Sequence, residues 1–269
     1  MSGYTTFRSV AGYLKREAQD GKRKALEQEH ICGIRWKHGP FVFDAFFGDV
    51  EPRIEPGPAR MIIWQPSAVR NKPKGWFRSW IQMNPRRTGY VEVGSCEHYW
   101  KNWSEHARRH RSRWVKDGRF LIEKVSLDEF MTVYRQATRL GWLKHFFISH
   151  LKSRNTLHAS LIKVFGAREK TTGKMVAGFV GMDIPEASAS LHLVSFIDRA
   201  VRDSSVGTGL MDEWFQDAIT RGIKYLDFDL FWAPGDPREW KGFSRFKSQF
   251  GTQFIQYPMP FIKFVRGSK

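Results

Sequence analysis

Between Val201 and Gly251 the chain runs through a Gly-rich turn, a helical segment, an apolar strand and a closing aromatic-basic motif. The strand is Tyr225-Leu-Asp-Phe-Asp-Leu-Phe231, in which Asp227 and Asp229 alternate with Leu226, Phe228 and Leu230. A side-chain period of two puts both carboxylates on one face of such a strand. Ahead of it, Leu210, Met211, Trp214, Phe215 and Ala218 recur at helical spacing. The turn that opens this helix is Ser204-Ser-Val-Gly-Thr-Gly209. Glycines there let main-chain N–H groups converge on an anion at the positive end of the helix dipole. Glycines required by turn geometry alone give the same pattern. Ser204, Val206, Gly207, Thr208 and Gly209 are therefore the candidate residues for holding a pyrophosphate or another anionic carrier group.

The residues that lead into this stretch read as alternating elements. Phe120–Val125 is a short strand, and Ser126-Leu-Asp-Glu129 has the form of a capping box that opens a helix. A second helix is expected over Phe147–Leu157. A hairpin follows, from Leu161–Ala167 through Thr171-Thr-Gly-Lys174 to Met175–Met182, and then a strand over Ser190–Ile197. The order of strand, two helices, three strands, helix and strand predicts an α/β fold of the α+β kind. Its sheet is mixed and largely antiparallel, flanked by helices.

The N-terminal part is less regular. Residues 15–29 are charged on every side, which predicts an arm or a solvated helix over 1–29. Short apolar runs at Ile31–Trp36, Phe41–Phe47 and Met61–Trp64, followed by Trp76–Met83 and Gly89–Val93, predict a small mixed sheet. The expected domains are thus an arm over 1–29, a small mixed part over 30–119, and a larger domain over 120–269. Glu97–Lys116 reads as one helix with Trp100, Trp103, Ala107, His110 and Trp114 along a single stripe. Arg108, Arg109, Arg111, Arg113 and Lys116 fall mostly outside that stripe. They are candidates for contacting phosphates, the alternative being an amphipathic helix whose arginines are merely solvated. His106 and His110 have metal-ligand spacing, but no Glu completes an HExxH pattern, and Cys96 and His98 do not make a ligand set. No metal is expected.

Charge sharpens the choice of partner. The 269 residues carry 44 Lys and Arg against 27 Asp and Glu, a net charge of +17. Polyanions such as tRNA or another nucleic acid are natural partners for such a surface. Aromatic residues make up 15% of the chain, which excludes a disordered polyelectrolyte. Two cysteines, Cys32 and Cys96, form no ladder of spacings and suit a reducing cytoplasm. No apolar run has the length of a membrane span.

The order of elements and the Ser204-x-x-Gly207-x-Gly209 turn resemble the GNAT superfamily of N-acyltransferases. That superfamily's pyrophosphate loop has the pattern Arg/Gln-x-x-Gly-x-Gly/Ala, from which Ser204 departs. The distal part resembles the FemAB-like branch, which carries an A-x-x-x-G-x-x-x-x-D-F strand followed by F-K-x-x-F-G. Ala218, Gly222, Asp227 and Phe228 match the first motif, and Phe246, Lys247, Phe250 and Gly251 the second. The resemblance covers 120–264 and suggests that Ile31–Val93 is a reduced first GNAT-like half. It implies transfer of an acyl or aminoacyl group to an amine acceptor, from acyl-CoA or aminoacyl-tRNA. Lys247 is then the candidate for stabilising the oxyanion or screening donor phosphate. Asp227, Asp229 and His192 are candidates for the amine side, with Asp183 a further base candidate. The loop Trp232–Trp240 is an expected acceptor lid. Two other readings stay open: a nucleic-acid-binding protein that keeps the scaffold without catalysis, and an acyltransferase that modifies nucleic acid itself.

Overall fold

The computed structural model describes residues 23–79, 85–93, 98–137, 141 and 143–267. The expectations for 1–22, for Trp80–Met83 and for Cys96 fall outside those residues. The chain forms two compact units: residues 1–88, 230–241 and 254–269 in one, and 89–229 with 242–253 in the other.

The first unit is built on a six-stranded sheet. Strands β1 (Arg23–Gln28), β2 (Ile31–His38) and β3 (Phe41–Gly48) form an antiparallel meander. The charged run that suggested an arm or helix is thus a strand from Arg23 onward, because its partner β2 supplies the ladder that local propensity does not predict. Strand β4 (Arg60–Gln65) joins β3 in parallel, and β5 (Phe77–Arg78) lies at the far edge. The last strand among the described residues, β13 (Phe261–Val265), inserts between β4 and β5, antiparallel to both. One face packs Ile31, Phe46, Ile62, Trp64, Trp76 and Phe261, and the other packs Ile34, Ala45 and Phe47. The buried indoles are satisfied: Trp64 Nε1 donates to the Gly48 carbonyl at 2.8 Å and Trp76 Nε1 to Glu51 at 2.6 Å.

The second unit holds most of a seven-stranded sheet. Its strands are β6 (Arg87–Glu92), β7 (Phe120–Lys124), β8 (Ile162–Glu169), β9 (Met175–Ile184), β10 (Ala189–Ile197), β11 (Tyr225–Phe231) and β12 (Gln253–Gln256), in the order β12-β6-β11-β10-β9-β8-β7. Strands β7 to β10 are antiparallel neighbours, whereas β10 and β11 run parallel. The helices are α1 (Glu105–Lys116), α2 (Leu127–Ala137), α3 (Leu143–His158), α4 (Val206–Thr220) and α5 (Trp240–Lys247). Helices α2 and α3 set Leu127, Phe130, Met131, Tyr134, Ile148 and Leu151 against Val164, Val180, Met182 and Phe196 of the sheet. On α4, Trp214 and Phe215 pack with Phe228 and Phe250, and with Tyr99 and Trp103 ahead of α1. This is the mixed, helix-flanked sheet that the order of elements predicts.

The expected helix over Glu97–Lys116 starts later than its stripe suggests. Tyr99–Asn102 is a short 3-10 turn, and the α-helix begins only after Ser104, whose Oγ accepts the Ala107 N–H at 3.2 Å. The Ser cap ends the turn and starts the helix. Among the described residues no helix is long and apolar enough to cross a membrane.

Candidate functional site

Strands β10 and β11 pair only through Ala189–Leu191 and Tyr225–Asp227, although both continue beyond. Just past the last paired residues each leaves regular strand geometry. The register of β10 against β9 shifts between His192 and Val194. On β11, Asp229 adopts a left-handed φ of 58°, and its N–H is taken by the Asp227 carboxylate at 2.8 Å. The side-chain alternation that put both carboxylates on one face therefore breaks at Asp229. A short polar side chain tolerates this region better than a branched one does.

Lys247 is carried to this place by aromatic packing. Phe250 stacks on Phe228 at 5.9 Å and meets Phe246 edge-on at 5.1 Å. Gly251 then leaves with a φ of 75° that a side chain would disfavour. The last residue of α5 is thus turned inward: Lys247 is 8% exposed, and its Nζ donates to the main-chain carbonyl of Phe228 at 2.6 Å. Burial pushes its pKa down to about 8, and the charges of Asp229 and Asp227 partly offset that. Half-buried His192 bonds Ser195 Oγ through Nε2 at 3.2 Å and packs on Phe179 and Trp214. Desolvation, reinforced by the charge of Lys247, holds the imidazole pKa well below its usual value, so it is neutral at physiological pH.

Four candidates are thereby brought together: Lys247, Asp227, Asp229 and His192. Arg154 joins them without any sequence signal. It lies on the buried face of α3, where burial pushes its pKa down to about 9 and the charge of Asp229 opposes the shift. Asp183 is turned elsewhere, to Arg221 and Lys163.

The glycines of the Ser204–Gly209 turn lie within the first turn of α4 rather than ahead of it. Their lack of a side chain is a packing requirement. A Cβ on Gly209 would lie 2.4 Å from the Trp114 ring, and one on Gly207 would lie 2.7 Å from Ile197 Cδ1. The same turn also suits an anion, since the N–H groups of Gly207 and Thr208 have no acceptor among the described residues. Ser204 Oγ donates to the Val201 carbonyl at 2.6 Å, and the Val206 N–H reaches Ser204 Oγ at 3.4 Å.

Helix α1 separates its arginines. Arg111 faces α4, where it meets Asp212 at 2.6 Å beside the Tyr99 hydroxyl, itself 2.6 Å from the same oxygen. Arg108, Arg109, Arg113 and Lys116 are exposed, with Arg109 near Glu105 at 3.3 Å. The rings of His106 and His110 lie 4.4 Å apart, tilted by 34°, but their Nδ1 atoms bond Gln249 and Ser205 respectively. Among the described residues no cluster of three or more His, Cys, Asp or Glu side chains has the arrangement of a metal site. In the first unit, the expected lid is tied down. Arg86 donates to the Pro234 carbonyl at 2.7 Å, and the Asp236 carboxylate accepts the Ala233 N–H at 2.8 Å.

No family model matches the sequence, and no curated protein matches it in sequence. Solved structures do match its fold. FemX is similar with a TM-score of 0.67 at 13% identity, over 94% of this chain and 91% of FemX. L-PGS from Bacillus licheniformis matches with a TM-score of 0.53 at 10% identity, over 95% of this chain and 88% of that one. A tandem GNAT protein from the clavulanic acid biosynthesis pathway matches with a TM-score of 0.52 at 11% identity, over 89% and 79%. The chain has a GNAT-like, FemX-like fold.

Proposed function

We propose that the protein is an N-acyltransferase of the FemAB-like kind, moving an acyl or aminoacyl group from an activated carrier to an amine. The observation that carries this reading is the buried ammonium of Lys247, held on the Phe228 carbonyl beside Asp229 where β10 and β11 cease to pair. The reaction needs an amine nitrogen to attack the carrier's carbonyl carbon. The new C–N bond then replaces a C–O or C–S bond, and the amine proton passes to a base while the carrier leaves.

A positive group in a dry site stabilises the developing oxyanion by several kcal/mol. Lys247 is mostly protonated at neutral pH, with a pKa near 8, and takes that part. Asp229 takes the amine side, oriented by the Asp227 carboxylate on its main-chain N–H. The neutral imidazole of His192 adds an acceptor without adding charge. The N–H groups of Gly207 and Thr208 are the residues suited to an anionic carrier group.

Two donor classes fit this reading: aminoacyl-tRNA and an acyl thioester. The exposed Arg108, Arg113 and Lys116 favour the polyanionic donor. Transfer assays with charged tRNA and with acyl-CoA, each against a panel of amines, test the proposal. Turnover with one donor identifies its class, and silence with both across the panel would sink the enzyme reading. Silence accompanied by tight RNA or DNA binding, weakening steeply with salt, would favour a non-catalytic nucleic-acid-binding protein.

A further inference from the structure

The first unit contains a charged cavity that acyl transfer does not use. Lys24 of β1, Arg35 of β2, Asp44 of β3 and Ile62 of β4 are successive cross-strand partners, so their side chains share one face of the sheet. They line a cavity of about 220 Å³ together with Arg53, Glu55 and Arg60. Asp44, 1% exposed, accepts Arg35 in a two-pronged contact, at 2.6 and 2.8 Å, and Arg60 Nε at 2.8 Å. One carboxylate thus answers two guanidinium groups.

The remaining nitrogens of Arg60 do not redress the balance, because Nη1 and Nη2 donate to neutral carbonyls of Pro58 and Glu55. The lining as a whole carries four cations, Lys24, Arg35, Arg53 and Arg60, against the carboxylates of Glu27, Asp44 and Glu55. A surplus of that sign favours an anion. The donors for an anion are in place. Arg35 Nη1 is not engaged by Asp44, and among the described residues no carboxylate lies in ion-pair range of Lys24 or Arg53. Glu55 also lines the cavity, and its charge acts on Arg35 from an exposed position.

We propose that this cavity is an oxyanion-binding site, taking a phosphate or carboxylate group between Lys24, Arg35 and Arg53. The guanidinium and ammonium groups supply charge-assisted hydrogen bonds of the kind both anions accept. The proposal is independent of acyl transfer, and its failure would leave that reading standing.

The test uses the full chain, titrated with inorganic phosphate and separately with acetate. Ionic strength is held constant with chloride, and binding is followed by calorimetry and thermal denaturation. Saturable one-to-one binding of at least one oxyanion is expected, weakened at least fivefold in the Lys24→Ala/Arg53→Ala double variant. Both of those side chains are exposed, so the double variant is expected to fold. Binding of phosphate alone points to a phosphate ester as the natural group, and binding of acetate alone to a carboxylate. No binding beyond the chloride control, or equal affinity in the double variant, overturns the proposal.

Discussion

The ammonium of Lys247 rests on the main-chain carbonyl of Phe228 at 2.6 Å, inside a site that lowers its pKa to about 8. If its protonated form serves the reaction, kcat/KM falls about tenfold per pH unit above that value. Lys247→Met is expected to lose at least 100-fold in rate, as removing one oxyanion donor typically does. Its residual rate should be flat through pH 8. A wild-type profile with no descending limb near 8 would remove the role.

The same shift has a stability consequence of definite sign. The folded pKa lies below the unfolded value of 10.5, so the unfolded chain binds more protons between about pH 8 and 10.5. Stability contributed by this group therefore rises with pH across that window. Urea denaturation at pH 8 and pH 10 should show wild type gaining relative to Lys247→Met, and an equal change in the two proteins would contradict it.

Asp229 sits at a left-handed φ, a conformation costing roughly 1–2 kcal/mol for a residue with a side chain. Asp229→Gly relieves that strain but removes the carboxylate whose charge offsets the burial of Lys247 and Arg154, so it should destabilise while activity falls, and Asp229→Val, which keeps the strain as well, should cost more. Asp227→Ala removes the carboxylate that takes the Asp229 N–H and should cost about 1–3 kcal/mol. Chemical denaturation of the three variants checks the order.

Gly209→Ala would gain about 1 kcal/mol in an open helix. Here the new methyl meets the Trp114 ring at 2.4 Å, and the clash is expected to win with a net loss of about 1–3 kcal/mol. Trp114→Leu in the same chain should recover part of that loss. Additive single and double losses would show that the ring is not the cause.

Asp212 is nearly inaccessible and serves Arg111, Tyr99 and Gln216. Asp212→Ala strands the partly buried Arg111 and should cost on the order of 3–5 kcal/mol. Arg113→Ala, on the exposed side of the same helix, should stay within about 0.5 kcal/mol. Thermal denaturation separates the two arginines' settings.

The second unit was largely readable from sequence because its signals are local. Alternation in 225–231, helical spacing in 206–220 and the aromatic-basic motif at 246–251 each lie within a few residues. The inward turn of Lys247 follows from Phe250 stacking on Phe228, residues that the motifs already pair. What escaped depends on distant partners. Arg154 sits in a segment that reads as an ordinary polar helix, and its burial is set by the sheet beneath it. Gly209 reads as a turn residue until Trp114, far back in the chain, fills the space above it. The charged strand β1 is held by β2, and no local pattern announces a strand there.

The place of β13 bears on how the protein is made. Residues 261–265 lie between β4 and β5, so the first sheet lacks an interior strand until all of its other strands have been made. The ribosome releases β1 to β5 first, yet they wait for residues 261–265 to emerge. Meanwhile the exposed flank of β4 is an unpaired edge of the kind that recruits other chains. A stop codon at position 261 would leave that edge open for good. Such a product should accumulate in the aggregated fraction even though every residue of the candidate acyl-transfer site is present.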